Sequence, residues 1–170
     1  DNVDGVVCSV YTPDCIETRG IPSSNRMNCE HTWPQSKGAT GIAKSDLHHL
    51  YPVDSKRNSI RGNYPFCEVV SVTSGDEHSA LGQSASGTKC FEPPQVHKGN
   101  VARSMFYFAV RYGHTIDQEQ LRFFNQWNTE DPVDSLEQQR TEAIESVQGN
   151  RNPFVDHPEL ATRTPDPALG

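Results

Sequence analysis

The chain has 170 residues, a hydrophobic fraction of 34% and a formal net charge of −7 at pH 7. This length can bury one core of ordinary size, and no run approaches 18 apolar residues, so a membrane-spanning helix and a membrane partner are excluded. The net charge disfavours nucleic-acid binding by bulk electrostatics, although residues 26–61 hold six basic and three acidic residues, which predicts a local basic patch.

The first half of the chain predicts short elements joined by loops rich in Gly, Pro, Ser and Asn. Its expected elements, in chain order, are a strand at 4–12, a strand at 29–33, a short helix or turn at 45–50, helical turns at 54–59 stopped by Gly62, a strand at 64–73 and a polar loop at 74–87. With the helices that follow, this pattern predicts a single α+β domain over residues 1–170.

Longer helices are predicted in the second half, at residues 99–113 and 116–127. In the first of them apolar residues recur at spacings of three or four, which marks one buried face. The residues of that face are Val101, Met105, Phe108 and Tyr112.

A third helix is predicted to begin after Asp131 as N-cap, with Pro132 at its first position, and to end at Gly149. Its expected inward-facing residues are Val133, Leu136, Ile144 and Val147. The proline-rich tail after about residue 160 is predicted to be poorly ordered.

Five cysteines indicate an oxidising compartment, either outside the cell or in the periplasm. No Cys-x-x-Cys pair is present, which disfavours a structural zinc site. Spacing does not determine the pairing. We expect Cys67–Cys90 first and Cys8–Cys15 second, and an odd number leaves at least one thiol outside these pairs.

Three groups of polar residues are candidates for chemistry. Glu30 and His31 share a target only where their strand bends or ends, since neighbouring strand side chains face opposite ways. His48 and His49 point about 100° apart on a helix, which favours structural histidines over a zinc site. The amide oxygen of Asn58 beside one carboxylate suits a hard cation that keeps several waters and takes phosphate oxygens.

The order and spacing of these groups resemble bacterial endonuclease I over about residues 7–159. The segments that carry the resemblance are NCEHTWPQS at 28–36, DLHHLYP at 46–52, NSIRGNYPF at 58–66 and GNRNPFVDHPE at 149–159. The helix at 99–113 and the segment at 130–133 are similar to the helical half of this family. The family often has helices ahead of its first strand, so a truncated or compact variant is expected.

The resemblance implies a His-Me finger, or ββα-metal core, with a small β-sheet and several packed helices. It implies His31 as general base, Glu30 and Asn58 as ligands of Mg²⁺, and Arg61 as a catalytic contact to phosphate or to the metal-site loop. Mn²⁺ or Ca²⁺ would serve in place of Mg²⁺. Basic side chains are expected to grip nucleic-acid phosphates, and they are Lys56, Arg57, Lys37 and Arg151.

The function implied is that of a monomeric, secreted or periplasmic endonuclease without sequence preference. It would hydrolyse DNA, with RNA as a further substrate, to 5′-phosphate and 3′-hydroxyl ends. Two alternatives remain open. One is a nucleic-acid-binding protein without activity. The other is a disulfide-stapled extracellular binding domain in which the histidines and Asn58 are structural. The excess of acids at residues 117–146 also allows adaptation to salt.

Overall fold

The computed structural model describes residues 2–163, and the chain divides into two compact units. The first unit comprises residues 2–31 and 50–95, and the second comprises residues 32–49 and 96–163. Small antiparallel sheets and several helices confirm the predicted α+β class. The single domain expected over residues 1–170 stays a prediction.

The first unit contains three small antiparallel sheets and one helix. The first sheet is formed by β1 (Asn2–Val3), β2 (Val6–Cys8) and β3 (Cys15–Glu17). The second pairs β4 (Met27–His31) with β5 (Leu50–Asp54), and α1 (Ser55–Arg61) follows β5 directly. The third is formed by β6 (Ser71–Gly75), β7 (Ala80–Gln83) and β8 (Lys89–Glu92).

Aromatic and aliphatic side chains fill the core of the first unit. Tyr11, Val53 and Phe91 are fully buried, and the rings of Tyr11 and Phe91 lie 4.9 Å apart. The backbone N–H of Val10 donates to the carbonyl of Pro52 in β5. This bond fixes the segment that carries Tyr11 against the second sheet.

Both predicted disulfides are present in the first unit, and they confirm the expected pairing. Cys8–Cys15 joins β2 to β3, and Cys67–Cys90 joins residue 67 to β8. The second disulfide is buried, with its two cysteines 1% and 0% exposed. The fifth cysteine, Cys29, keeps its thiol at an exposed position on β4.

The second unit is helical. Its α-helices are α2 (Lys98–Tyr112), α3 (Gln118–Glu130), α4 (Ser135–Gln148) and α5 (Pro153–Asp156). Segments of 3₁₀ helix occur at Gln35–Lys37, Gly41–Ser45, Leu47–His49 and Pro158–Arg163. None of the helices in residues 2–163 is long and apolar enough to cross a membrane.

Helix α2 is the core element of the second unit. Val101, Met105 and Phe108 of the predicted face are buried as expected, whereas Tyr112 is only half-buried, and Phe106 on another face is also fully buried. Each such aromatic side chain stabilises the fold by about 1.5–3 kcal/mol through removal from water. The helix ends at Gly113, which adopts φ 68° and donates its N–H to the carbonyl of Ala109.

Several predicted element boundaries are wrong. The strand expected at 64–73 is instead β6, which begins at Ser71, and the loop expected at 74–87 contains β7. The helix or turn expected at 45–50, by contrast, is confirmed by a 3₁₀ turn at Leu47–His49, which follows another 3₁₀ segment at Gly41–Ser45. At the C-terminal end, residues 158–163 form a 3₁₀ helix, and the rest of the predicted tail, residues 164–170, lies outside the described residues.

The third predicted helix begins later than expected. Its N-cap is Asp134, whose side chain accepts from the N–H of Glu137 at 2.8 Å, whereas Asp131 accepts from the N–H of Gly99. Leu136 and Val147 are exposed rather than inward-facing. The buried residues of α4 are Glu137, Thr141 and Ile144. Its predicted end at Gly149 is confirmed.

Candidate active site

Strand β4 ends with Glu30 and His31, which pair with Tyr51 and Leu50 at the start of β5. Side chains of neighbouring strand residues face opposite ways, and the burial agrees: Glu30 is 2% exposed, whereas His31 is half-buried. The strand stops at His31. The side chains of Glu30 and His31 can serve one target only if the strand bends or ends, and it ends at this residue.

Helix α1 holds Asn58 against the same strand. The helix starts directly after β5 because Asp54 caps it, accepting from the N–H of Arg57 at 2.8 Å. The Asn58 amide nitrogen donates to Asn28 Oδ1 at 2.6 Å and lies 3.3 Å from the Cys29 carbonyl oxygen. With Nδ2 turned toward β4, Oδ1 is the amide atom available to a cation.

The Glu30 carboxylate is held by two buried side chains. The Tyr11 hydroxyl donates to Glu30 Oε1 at 3.1 Å, and Arg61 Nε lies 3.0 Å from the same oxygen. Burial raises the pKa of the Glu30 carboxyl, and the Arg61 charge and the Tyr11 hydrogen bond offset only part of that rise. Both contacts are made to Oε1.

Arg61 is itself buried, with 1% of its surface exposed. Its Nη1 donates to the carbonyl of Gly62 at 2.8 Å, and its guanidinium carbon lies 4.5 Å from the centre of the Phe66 ring. A side chain in this position acts on Glu30 rather than on a substrate phosphate. Of the two roles expected for Arg61, the geometry therefore favours contact with the metal-site segment.

Two further predicted residues lie on α1 and differ in their surroundings. Lys56 is exposed. Arg57 is 9% exposed, forms an ion pair with Asp76 and donates from Nη1 to the carbonyl of Ser79 at 3.3 Å. These contacts compensate the charge of Arg57 and hold its side chain within its own unit, which disfavours the expected phosphate contact.

The other two predicted phosphate contacts lie in the second unit. Lys37 is exposed and ends the 3₁₀ turn at Gln35–Lys37. Arg151 donates to both carboxylate oxygens of Asp156, at 2.8 and 2.7 Å, and to Glu145 at 2.8 Å. Since two carboxylates compensate its charge, Arg151 is a weaker candidate than Lys37.

His48 and His49 are buried and bonded to the backbone of the second unit. His48 Nε2 lies 3.0 Å from the Asn150 carbonyl oxygen, and His49 Nε2 lies 2.8 Å from that of Ala43. Burial lowers the pKa of the His48 imidazole. These contacts agree with the structural role that the sequence favoured over zinc binding.

Asp46 organises the segment before these histidines, a role that the sequence did not reveal. Its carboxylate accepts hydrogen bonds from the hydroxyls of Tyr107 and Tyr112, both at 2.7 Å, and from Gln148 Nε2 at 2.9 Å. Burial alone would raise the pKa of the Asp46 carboxyl. The hydrogen bonds from Tyr112, Gln148 and Tyr107 together outweigh this effect and hold the pKa below its usual range.

The donor set near β4 and α1 suits a hard cation. Glu30 supplies a carboxylate and Asn58 an amide oxygen, and Mg²⁺ accepts such oxygens while keeping several waters. Within residues 2–163, no group of three or more His, Cys, Asp or Glu side chains is placed to hold a metal ion.

Two antiparallel strands followed directly by a helix, with Glu30, His31 and Asn58 on them, form the ββα arrangement of the His-Me finger class. Residues 5–159 match the family described as Endonuclease I. The chain belongs to this family.

Several proteins similar to this chain are named as nucleases. The chain is 39% identical over 177 residues to the extracellular ribonuclease of Bacillus amyloliquefaciens, covering 91% of this chain and 60% of that protein. It is 37% identical to the extracellular ribonuclease of Bacillus subtilis, covering 79% and 52%. An extracellular deoxyribonuclease of Aeromonas hydrophila is 30% identical, covering 66% and 50%. The chain therefore spans about half to three fifths of these relatives' length.

Proposed function

We propose that the chain is a metal-dependent, non-specific endonuclease that hydrolyses phosphodiester bonds to 5′-phosphate and 3′-hydroxyl ends. The observation that carries this proposal is the grouping of His31, Glu30 and Asn58 on β4 and α1, with the Asn58 amide bonded to Asn28 of the strand that ends at His31.

His31 is the proposed general base. A neutral imidazole, whose ordinary pKa is about 6.5, can accept a proton from an attacking water at mild pH. Glu30 and Asn58 would hold Mg²⁺, or Mn²⁺ or Ca²⁺ in its place. When bound, the cation neutralises charge on the phosphate and on the leaving 3′ oxygen. Tyr11 and Arg61 would position the Glu30 carboxylate, since they contact Oε1.

DNA is the proposed substrate, and RNA a further one, because the relatives include both deoxyribonucleases and ribonucleases. Contacts to backbone phosphates carry no sequence information, so little base preference is expected. Lys56 and Lys37, both exposed, are the proposed phosphate contacts. A monomer is proposed.

Secretion or periplasmic location is proposed on two grounds. Several relatives are named extracellular or periplasmic nucleases. The two disulfides, Cys8–Cys15 and Cys67–Cys90, require an oxidising compartment to form and persist.

Nicking of supercoiled plasmid and digestion of RNA, with Mg²⁺ and with EDTA, test the proposal. His31→Ala should lower the rate by about 10²–10⁴-fold while Mn²⁺ binding, followed by electron paramagnetic resonance, persists. Asn58→Ala should weaken Mn²⁺ binding itself. His157→Ala removes an exposed histidine and should change neither property.

Two outcomes would contradict the proposal. Turnover by His31→Ala comparable to that of the unmodified chain would remove His31 as the base. Binding of nucleic acid without any cleavage in Mg²⁺ would identify an inactive binding protein, one of the alternatives that the sequence allowed.

A further inference from the structure

An exposed lysine on β8 is held in place by an aromatic residue that follows α1. Lys89 Nζ donates to the Tyr64 hydroxyl at 2.9 Å and lies 4.5 Å from the centre of the Tyr64 ring. Lys89 is exposed and Tyr64 is half-buried. A lysine side chain normally samples many rotamers, and these two contacts restrict the position of its ammonium.

The backbone on both sides of this pair is cross-linked. Phe91 donates its N–H to the carbonyl of Pro65 at 2.8 Å, and Cys67 donates to the carbonyl of Phe91 at 3.1 Å. The buried Cys67–Cys90 disulfide joins the same two segments. Tyr64 and Lys89 each immediately precede a residue of this cross-linked region. Their contact is therefore built on a rigid base.

The side chain that holds Lys89 carries no charge, whereas three arginines of the chain face carboxylates. Arg57 faces Asp76, Arg61 faces Glu30, and Arg151 faces Asp156 and Glu145. The contact that holds Lys89 comes from a neutral phenol. Of the three N–H groups of an ammonium, this contact uses one, which leaves two for an anion.

The pair lies a short chain distance from Asn58. The N–H of Tyr64 donates to the carbonyl of Arg61, the last residue of α1, at 3.3 Å. Gly62 allows this turn because it adopts φ 55°, where a side chain would be strained. Three helical residues and two further residues separate Asn58 from Tyr64, so their Cα atoms are at most about 15 Å apart. Roughly four nucleotides of one strand cover that span.

We propose that Lys89 Nζ binds a backbone phosphate of the nucleic-acid strand at a position flanking the cleaved bond, and that Tyr64 is the positioning residue for this ammonium. The assignment of the strand as a substrate rests on the proposed nuclease function. The phosphate contact itself is a property of binding and is measured separately from cleavage.

The test uses a fluorescein-labelled oligothymidylate dodecamer and the His31→Ala chain, whose slow cleavage permits equilibrium measurement. The dissociation constant is measured by anisotropy across about 0.05–0.3 M NaCl. One lost phosphate contact on a single strand should reduce the slope of log K against log[salt] by about 0.7, which corresponds to about fivefold weaker binding at 0.1 M. Lys89→Gln should show both changes.

Two further variants separate a phosphate contact from bulk charge and from positioning. Arg122→Gln removes one exposed positive charge on α3 and should leave the slope unchanged. Tyr64→Phe keeps the ring and the Lys89 charge but removes the hydroxyl, so it should weaken binding by less than Lys89→Gln while retaining the slope.

The inference is overturned if Lys89→Gln keeps the slope, if Arg122→Gln changes it equally, or if the dodecamer does not bind at the lowest salt. Plasmid nicking by the chain with His31 intact distinguishes this failure from failure of the proposed function. A slope change in Lys89→Gln without nicking would support the phosphate contact and contradict the nuclease.

Discussion

Glu30 and Arg61 form a buried ion pair, in which Glu30 is only 2% exposed and Arg61 only 1% exposed. Removing one partner of a buried ion pair leaves an uncompensated charge, which typically costs about 3–5 kcal/mol. We therefore expect Arg61→Met to lower the free energy of unfolding by about this amount, measured by urea denaturation.

The double variant Glu30→Gln/Arg61→Met tests the reason for that loss. If the unpaired charge is the cause, neutralising Glu30 should recover more than half of the lost stability. Arg26→Met, which alters an exposed arginine of the same unit, should change stability by no more than about 0.5 kcal/mol. A double variant as unstable as Arg61→Met would point to lost packing on Phe66 instead.

His97 gives the second unit a pH-dependent stability. Burial, followed by the charges of Arg140 and Arg103, lowers the pKa of His97 to about 3. The unfolded chain binds this proton near pH 6.5, so it carries more protons than the folded chain between about pH 3 and 6.5. Stability should then fall as pH decreases through this window, by at most about 1.4 kcal/mol per pH unit.

The variant His97→Gln isolates this contribution. Urea denaturation across the acidic window should give a shallower dependence of stability on pH for His97→Gln than for the unmodified chain. His157→Gln, which alters an exposed histidine, should retain the original dependence. Equal pH dependence for all three chains would rule out His97 as the source.

The local sequence predicts which neighbouring residues lie together in the site, but it does not predict which distant residues contact them. The motif at 28–36 placed Glu30 and His31 together because they are neighbours on one strand. Tyr11 contacts Glu30 across 19 positions, and Tyr107 reaches Asp46 across 61. Local spacing contains no signal for such pairs, since they form only when separate elements pack.

At the scale of elements, α4 shows how a buried ion pair alters an apolar pattern. Glu137 is buried because Arg103 of α2 donates to both its carboxylate oxygens, at 2.8 and 2.6 Å. The buried face consequently follows Glu137, Thr141 and Ile144, and Leu136 turns to solvent. A pattern based on apolar residues alone therefore places Leu136, rather than Glu137, on the buried face of the helix.

This orientation predicts unequal costs for matched truncations in α4. Ile144→Ala removes a side chain that is 5% exposed, so it should cost about 2–5 kcal/mol. Leu136→Ala and Val147→Ala, at 66% and 79% exposure, should each change stability by no more than about 0.5 kcal/mol. Urea denaturation measures all three, and a loss at Leu136 equal to that at Ile144 would restore the orientation predicted from the sequence.

The third sheet was missed for a different reason. Strand β7 has the sequence ALGQ and follows a run of polar and small residues, so neither β-propensity nor alternation marks it. Gly82 is required there because a Cβ at this position would meet the backbone of Ser71 on β6. Only the pairing of the strands shows why a glycine lies inside one.

At the scale of the whole molecule, the chain passes between its two units at residues 31–32, 49–50 and 95–96. Each unit combines two segments, so no linker or shift of composition marks a boundary in the sequence.

The net charge of −7 is likewise a property of the whole chain. It is not reduced by the ion pairs and helix caps that occupy several acids of residues 117–146.

A net charge of −7 should repel a polyanionic substrate at long range. At physiological ionic strength, salt screens interactions between charges that are more than about 8 Å apart. Phosphate contacts at the site act over only a few ångströms. We expect plasmid nicking to rise from low NaCl to a maximum before phosphate contacts weaken. Bis-p-nitrophenyl phosphate carries one charge, so its hydrolysis should change little over the same range. A plasmid rate that falls from the lowest NaCl onward would show that local basic contacts outweigh the acidic net charge even without screening.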